Sequence, residues 1–189
     1  MKYNKSIEWL INPFTRLAGW CALILGVILS VVMAIIGSYS GVAFDGVLDI
    51  HFLKLSVVES LSMTGLSLIS LIIIFWITGL IIAKPFRFID LAGTLILTKT
   101  PYIFIALIGF MVTPPDPIYI ISKPEIIFQN SGFVIALILS IPITVWSVVL
   151  MFNAYKISCG LKGEALAISF TIALIIAEVI SKTLIFFIM

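Results

Sequence analysis

Five apolar stretches, each more than about 20 residues long, dominate this chain. That is the length a helix needs to cross the hydrocarbon core while satisfying its own backbone N–H and C=O groups. They are Leu17–Gly37, Leu61–Ala83, Leu91–Thr113, Gly132–Asn153 and Ala165–Ile188, and together they take up more than half of the 189 residues. Composition agrees: 62% of residues are hydrophobic and 11% charged, with a mean hydropathy of +1.29, whereas a soluble domain carries about 25% charged residues. A water-soluble fold is excluded. The expected fold class is an all-α integral membrane bundle of five transmembrane helices, residues 17–189, behind a short cytoplasmic interfacial segment, residues 1–16. A secretory signal peptide is not expected, because its apolar core runs only about 7 to 15 residues.

Orientation follows from the cations beside the spans. Lys2, Lys5, Arg16, Lys84, Arg87, Lys156 and Lys162 fall on one side and Lys54 and Lys123 on the other, while Lys99 and Lys182 lie inside spans. The excess places the N-terminus in the cytoplasm and, with an odd span count, the C-terminus outside. Localisation is then a membrane, the inner one for a bacterial protein. Cys21 and Cys159 both fall on the reducing side and read as packing thiols. One histidine and no close Cys/His spacing exclude zinc-finger and haem-attachment motifs, and a net charge of +2 without a basic tract excludes a nucleic-acid partner. Five spans do not divide into two equal repeats, as many secondary transporters do.

Small residues recur every fourth position in span 1 (Ala18, Ala22, Gly26, Ser30, Ala34, Ser38) and in span 5 (Ala165, Ser169, Ala173, Ala177, Ser181). Such rows let helix backbones approach closely in lipid. They make spans 1 and 5 the expected tightest contact, with each other or with a copy or partner. The bulky run Leu71–Ile77 of span 2 is expected to face mostly lipid. Pro101 in span 3 and Pro142 in span 4 each remove a helix hydrogen bond, freeing the carbonyls of Leu97 and Ile138, and kinks are expected at both.

Charged groups within the membrane need a partner or a wet cavity. Lys99 and Glu178 sit at depths of about 12 and 20 Å from the cytoplasmic side at 1.5 Å per residue, an offset of about 8 Å that the two side chains could largely close, so an ion pair between them is a testable hypothesis. Lys182, one turn after Glu178, is the competing partner, or it snorkels to the surface. The first external segment carries Asp45, Asp49 and His51, whose spacing matches neither a zinc motif nor an EF-hand loop. No metal is assigned there; an ordinary turn followed by a membrane-hugging stretch is expected. The second external loop, with Pro114, Pro115, Pro117 and Pro124, reads as stiff and interfacial. At the N-terminus, Ile7, Trp9, Leu10, Ile11 and Phe14 alternate with polar residues as in an interfacial helix.

Four segments together resemble the bacterial branch of the Yip1 family of five-span membrane proteins. They are Asn12-Pro13-Phe14-Thr15-Arg16, Phe44-Asp45-Gly46-Val47-Leu48-Asp49, Asp90-Leu91-Ala92-Gly93-Thr94 with Pro101 further on, and Phe152-Asn153-Ala154-Tyr155-Lys156. The resemblance covers nearly the whole chain. It implies an integral membrane protein whose eukaryotic relatives sit in early secretory membranes, bind Rab-type GTPases and one another, and influence vesicle traffic. Those relatives have a long cytoplasmic N-terminal region, and here 16 residues precede span 1, so what transfers is the architecture and a leaning toward assembly. No P-loop, nucleophile elbow or metalloprotease motif is present, and neither an enzyme nor a cofactor is expected. The function expected is a scaffold or adaptor that assembles through its small-residue faces, with the bilayer and a membrane-protein partner or second copy as partners. Asp90, Asn153, Tyr155 and Lys156 are its candidate docking residues at the cytoplasmic boundary. The alternative is a transporter or channel subunit for a small molecule, ion or lipid, with a path near Lys99 and Glu178.

Overall fold

The computed structural model describes residues 5–113 and 130–188. The expectations for Lys2 and for the segment with Pro114, Pro115, Pro117, Lys123 and Pro124 lie outside the described residues, as do the side chains of residues 5–7. The elements are α1 (Lys5–Ile11), a 3-10 turn (Pro13–Thr15), α2 (Gly19–Ser40), α3 (Val57–Ile82), α4 (Phe88–Leu97), α5 (Tyr102–Gly109), α6 (Ser131–Cys159) and α7 (Gly163–Ile188). Five helices are long and apolar enough to cross a membrane: α2, α3, the interrupted unit Phe88–Gly109 made by α4 and α5, α6 and α7. The chain is thus built as an all-helical, multi-pass membrane protein. Among the described residues the sole β pairing is an isolated bridge between Ala43 and His51.

Local chemistry moves the helix ends away from the hydropathy limits. α3 starts a turn before Leu61 because Ser56 and Glu59 form a capping box. The Ser56 hydroxyl accepts from the Glu59 N–H at 3.2 Å, and the Glu59 carboxylate accepts from the Ser56 N–H at 2.8 Å. At α6, the Asn130 side chain accepts from the Phe133 N–H at 3.1 Å. Within α3, Ser60, Thr64, Ser67 and Ser70 turn inward with Leu71 and Phe75. The remainder of the run Leu71–Ile77 is partly or fully outward. Large apolar side chains such as Trp20, Ile28, Ile81, Ile175 and Phe186 face outward, as a lipid-solvated surface requires.

The third span is innermost, and every residue from Leu91 to Leu97 is buried. α2 crosses it at two glycines. A methyl on Gly93 would lie 2.7 Å from the Gly19 carbonyl oxygen and 2.8 Å from the Leu23 nitrogen, and one on Gly26 would lie 2.9 Å from Ile96 and from the Leu97 nitrogen. α6 lies on the other side of α4, where the Ser147 hydroxyl donates to the Thr98 carbonyl at 2.8 Å and Ser158 bonds Thr94 at 2.9 Å. α7 packs chiefly on α3, around Phe75, whose ring meets Phe170 and Tyr155 edge-on at 5.6 and 5.1 Å.

The pairing expected between spans 1 and 5 is therefore corrected. Ala22, Gly26, Ser30 and Ala34 of α2 are buried mainly against the third span, with α3 alongside, and Ser169, Ala173, Ala177 and Ser181 of α7 mainly against α3. Ala18 and Ala165, the first members of the two rows, are exposed. The physical reason is that a row of small residues specifies a close approach and not the identity of the neighbour.

α1 lies along α6, with the Leu10 carbonyl accepting from the Trp146 indole at 2.7 Å and the Ile11 carbonyl from the Asn153 amide at 3.1 Å. The Arg16 guanidinium stands 5.2 Å over the Trp9 ring. Pro142 lies inside α6, which runs without a break from Ser131 to Cys159. Overpacking of a tight contact costs about 1–3 kcal/mol. Gly93→Ala is therefore expected to lower the thermal unfolding midpoint in detergent, whereas Gly65→Ala, in open space on α3, leaves it unchanged or raises it; equal midpoints for the two variants would refute the glycine crossing.

Candidate functional site

The segment between α2 and α3 does not hug a surface. Its first half folds back among the helices, which corrects the turn-and-amphipathic-stretch expectation. Val42, Ala43, Phe44 and Val47 are at most 1% exposed. The Ala43 and His51 backbones exchange hydrogen bonds of 2.7 and 3.0 Å, closing a hairpin whose tip is Asp45-Gly46-Val47-Leu48-Asp49. Non-helical backbone at membrane depth persists only where protein or a wet cavity supplies its hydrogen bonds, and here side chains supply them.

Span 3 provides the central donor. Pro101 carries no N–H, and the chain answers with a break instead of a bend: α4 stops at Leu97 and α5 begins at Tyr102. The connecting residues make i to i−3 bonds, Lys99 N to Ile96 O at 3.1 Å, Thr100 N to Leu97 O at 3.1 Å and Tyr102 N to Lys99 O at 3.0 Å. The Leu97 carbonyl is thus not left free, since the Thr100 hydroxyl also donates to it at 2.7 Å. Counted from Phe88 at 1.5 Å per residue, Lys99 stands about 16 Å into a core of about 30 Å.

Lys99 is 2% exposed. Its ammonium donates to the Val47 carbonyl and, at 3.4 Å, to the Gly46 carbonyl. It also stands 4.6 Å from the centre of the Tyr102 ring, which stacks on Phe44 at 5.9 Å. Ser67 of α3 donates to the Gly46 carbonyl at 2.6 Å, and the Tyr102 hydroxyl to the Leu48 carbonyl at 3.4 Å. From α7, the Glu178 carboxylate accepts from the Leu48 N–H at 2.8 Å. Its second oxygen occupies the space beside Gly46, where a methyl would come within 2.5 Å of it, so the tip needs a glycine there. One turn further on, Lys182 pairs with Asp49. At the hairpin's open end, His51 Nδ1 lies 2.8 and 2.9 Å from the two Asp45 carboxylate oxygens.

The three intramembrane charges are brought together, but not as the sequence suggested. Lys99 and Glu178 make no direct ion pair, and neither do Glu178 and Lys182; each of the three holds a different group of the same five-residue tip. The ligand atoms of Asp45, Asp49 and His51 lie within 4.8 Å of one another, yet Asp49 already has the Lys182 ammonium as counter-ion. Chemically, the arrangement clamps inserted backbone between α3, α5 and α7. Tyr155 is also corrected: it is fully buried against Phe75, and its hydroxyl has no partner among the described residues. Asn153 is engaged with α1, Asp90 Oδ2 lies 3.8 Å from Arg87 Nε, and Lys156 is exposed. The inserted hairpin, with Ser67 and Tyr102, was missed by the sequence reading. Its signal is the interleaving of Val42, Phe44, Val47 and Leu48 with Asp45, Gly46 and Asp49, a pattern that suits neither a solvated loop nor an amphipathic helix.

No protein-family model, curated protein or solved structure matches the chain.

The clamp geometry makes a charge exchange unfavourable. A carboxylate at position 99 would face the Gly46 and Val47 carbonyls, and an ammonium at 178 would face the Leu48 N–H. Lys99→Glu and Glu178→Lys are each expected to lower the thermal midpoint, and the double variant to be no more stable than the worse single; recovery in the double variant would establish a direct pair instead.

Proposed function

We propose that this chain is a non-enzymatic membrane scaffold or adaptor, oriented with its N-terminus in the cytoplasm and its C-terminus outside, and related to the bacterial branch of the Yip1 family. The orientation rests on the excess of Lys and Arg beside one set of span ends. The family relation rests on the four sequence segments, two of which supply the hairpin tip and the start of the third span.

One observation carries the assembly reading. Most of the small-residue rows are covered within the chain, but between α2 and α3 a cavity of about 180 Å³ remains, lined by Ser30, Thr64, Gly65, Val27, Leu61 and Leu68. A side chain on Gly65 would meet nothing within 4 Å, and the enclosed Thr64 hydroxyl has no hydrogen-bond partner. An apolar groove that narrows to Gly65 at one position suits a transmembrane helix from a partner or a second copy, because helix association in lipid relies on close packing, which a glycine permits. The short surfaces 1–16, 84–90 and 154–164 would then face the cytoplasm.

Native mass spectrometry of the chain released in a mild detergent tests this. The expected spectrum contains a homo-oligomer or a stoichiometric membrane protein that Gly65→Leu removes while the monomer stays folded; a monomer alone, in wild type and variant alike, rejects the scaffold.

A second reading, a path for a small molecule, ion or lipid at Lys99 and Glu178, is favoured by the break in span 3 beside inserted backbone, an arrangement that lines cavities in transporters with broken helices. Against it stands the enclosure of Lys99, 2% exposed, with its ammonium engaged by the hairpin. In a Lys99→Cys variant in sealed vesicles the scaffold predicts no reaction with a membrane-impermeant maleimide from either side, compared with the exposed position of a Lys54→Cys control. Rapid labelling from one side would establish the path.

A further inference from the structure

Where α3 passes into α4 and α6 into α7, two short loops face each other across a cavity of about 590 Å³, within the range of about 300–1,000 Å³ typical of ligand sites. Each loop is pinned by an inward apolar side chain. The Phe86 ring sits so close to α3 that a methyl on Gly79 would lie 2.7 Å from it and 3.2 Å from Cys159 Sγ, and Leu161 belongs to the main buried cluster. Pro85 stiffens the first loop beside its anchor. With Phe86 and Leu161 turned in, Lys84, Arg87 and Lys162 are turned out, and all three line the cavity. Asp90 is the one carboxylate among the lining residues, 3.8 Å from Arg87, and Glu164 stands in the first turn of α7 just beyond. The balance at the cavity wall is three cations to one anion. Beside these cations, Ile82, Phe88 and Ile157 are exposed at 44%, 46% and 38%, on the ends of helices that cross the membrane.

We propose that this cavity holds the headgroup of one anionic glycerophospholipid, with its phosphodiester among Lys84, Arg87 and Lys162 and its acyl chains along Ile82, Phe88 and Ile157. Basic pockets between transmembrane helices bind anionic headgroups by charge, helped by exclusion of water at the membrane boundary. The adjoining apolar flank is what selects a lipid over a soluble phosphate, because a free anion gains nothing from it. The cavity is formed by two of the three short surfaces that the scaffold reading turns to the cytoplasm, but its lipid does not depend on assembly through the Gly65 groove, so failure of either test leaves the other standing.

The test uses the full chain, stripped of lipid in detergent and titrated with phosphatidylglycerol or phosphatidylcholine of matched chains, with bound lipid counted by native mass spectrometry. One phosphatidylglycerol is expected to bind at least tenfold more tightly than phosphatidylcholine. Lys84→Gln, Arg87→Gln and Lys162→Gln should each weaken it about fivefold, while Lys156→Gln, at the same end but outside the cavity, changes it less than twofold. Should one of the three variants not fold, the other two carry the test. Equal retention of phosphatidylcholine, equal weakening by Lys156→Gln, unchanged binding in the three cavity variants, or displacement of the lipid by millimolar inorganic phosphate would each overturn the proposal.

Discussion

A backbone amide inside a membrane has no water to fall back on, and each one left unpaired costs several kcal/mol. The architecture follows from how the chain meets that condition for the inserted tip Asp45-Gly46-Val47-Leu48-Asp49. Lys99 and Ser67 take the Gly46 carbonyl, Lys99 the Val47 carbonyl, Tyr102 the Leu48 carbonyl and Glu178 the Leu48 N–H. These partners come from three different spans, so the hairpin ties α3, the broken third span and α7 into one unit.

The break at Pro101 belongs to the same design. A continuous helix would place position 99 in the i to i−4 ladder like any other, whereas the tight turns from Thr98 to Pro101 leave α4 and α5 as separate pieces. The carbonyls at the break are answered locally by Thr98 and Thr100 and across the interface by Ser147. Polar side chains thus cluster where regular helix is lost, and small residues gather where helices cross. Gly26 and Gly93 bring α2 onto α4, which is how the third span becomes the buried axis of the bundle.

Much of the fold was legible because span number and extent depend on local chain properties. The five stretches correspond to five membrane-length helices, and shifts at their ends trace to the Ser56–Glu59 capping box and to Asn130. Of the site, the three charges were legible, whereas the hairpin they bind, and Ser67 and Tyr102 beside them, were not. Lys99, Glu178 and Lys182 stand out in an apolar sequence because ionised groups there are costly, and depth along a helix brought the first two to similar levels. Depth carries no information about rotation or about what lies between, and the hairpin lies between them. Tyr155 shows the same gap: its place beside Lys156 suggested a boundary, while the helix phase turns it into the core against Phe75.

The sequence by itself determined that the chain is an all-helical bundle of five membrane-length spans, that prolines inside two of them each remove a helix hydrogen bond, and that three charges lie within the apolar segments. These are consequences of hydrophobic length, the missing proline N–H and the cost of burying charge, all read along one segment at a time. Only the tertiary structure decided that α2 covers the third span, that α7 covers α3, and that the segment after α2 enters the bundle to receive all three charges. A row of small residues fits any close neighbour and an ammonium accepts any well-placed oxygen, so the choice among partners is made by the packing of segments distant in sequence.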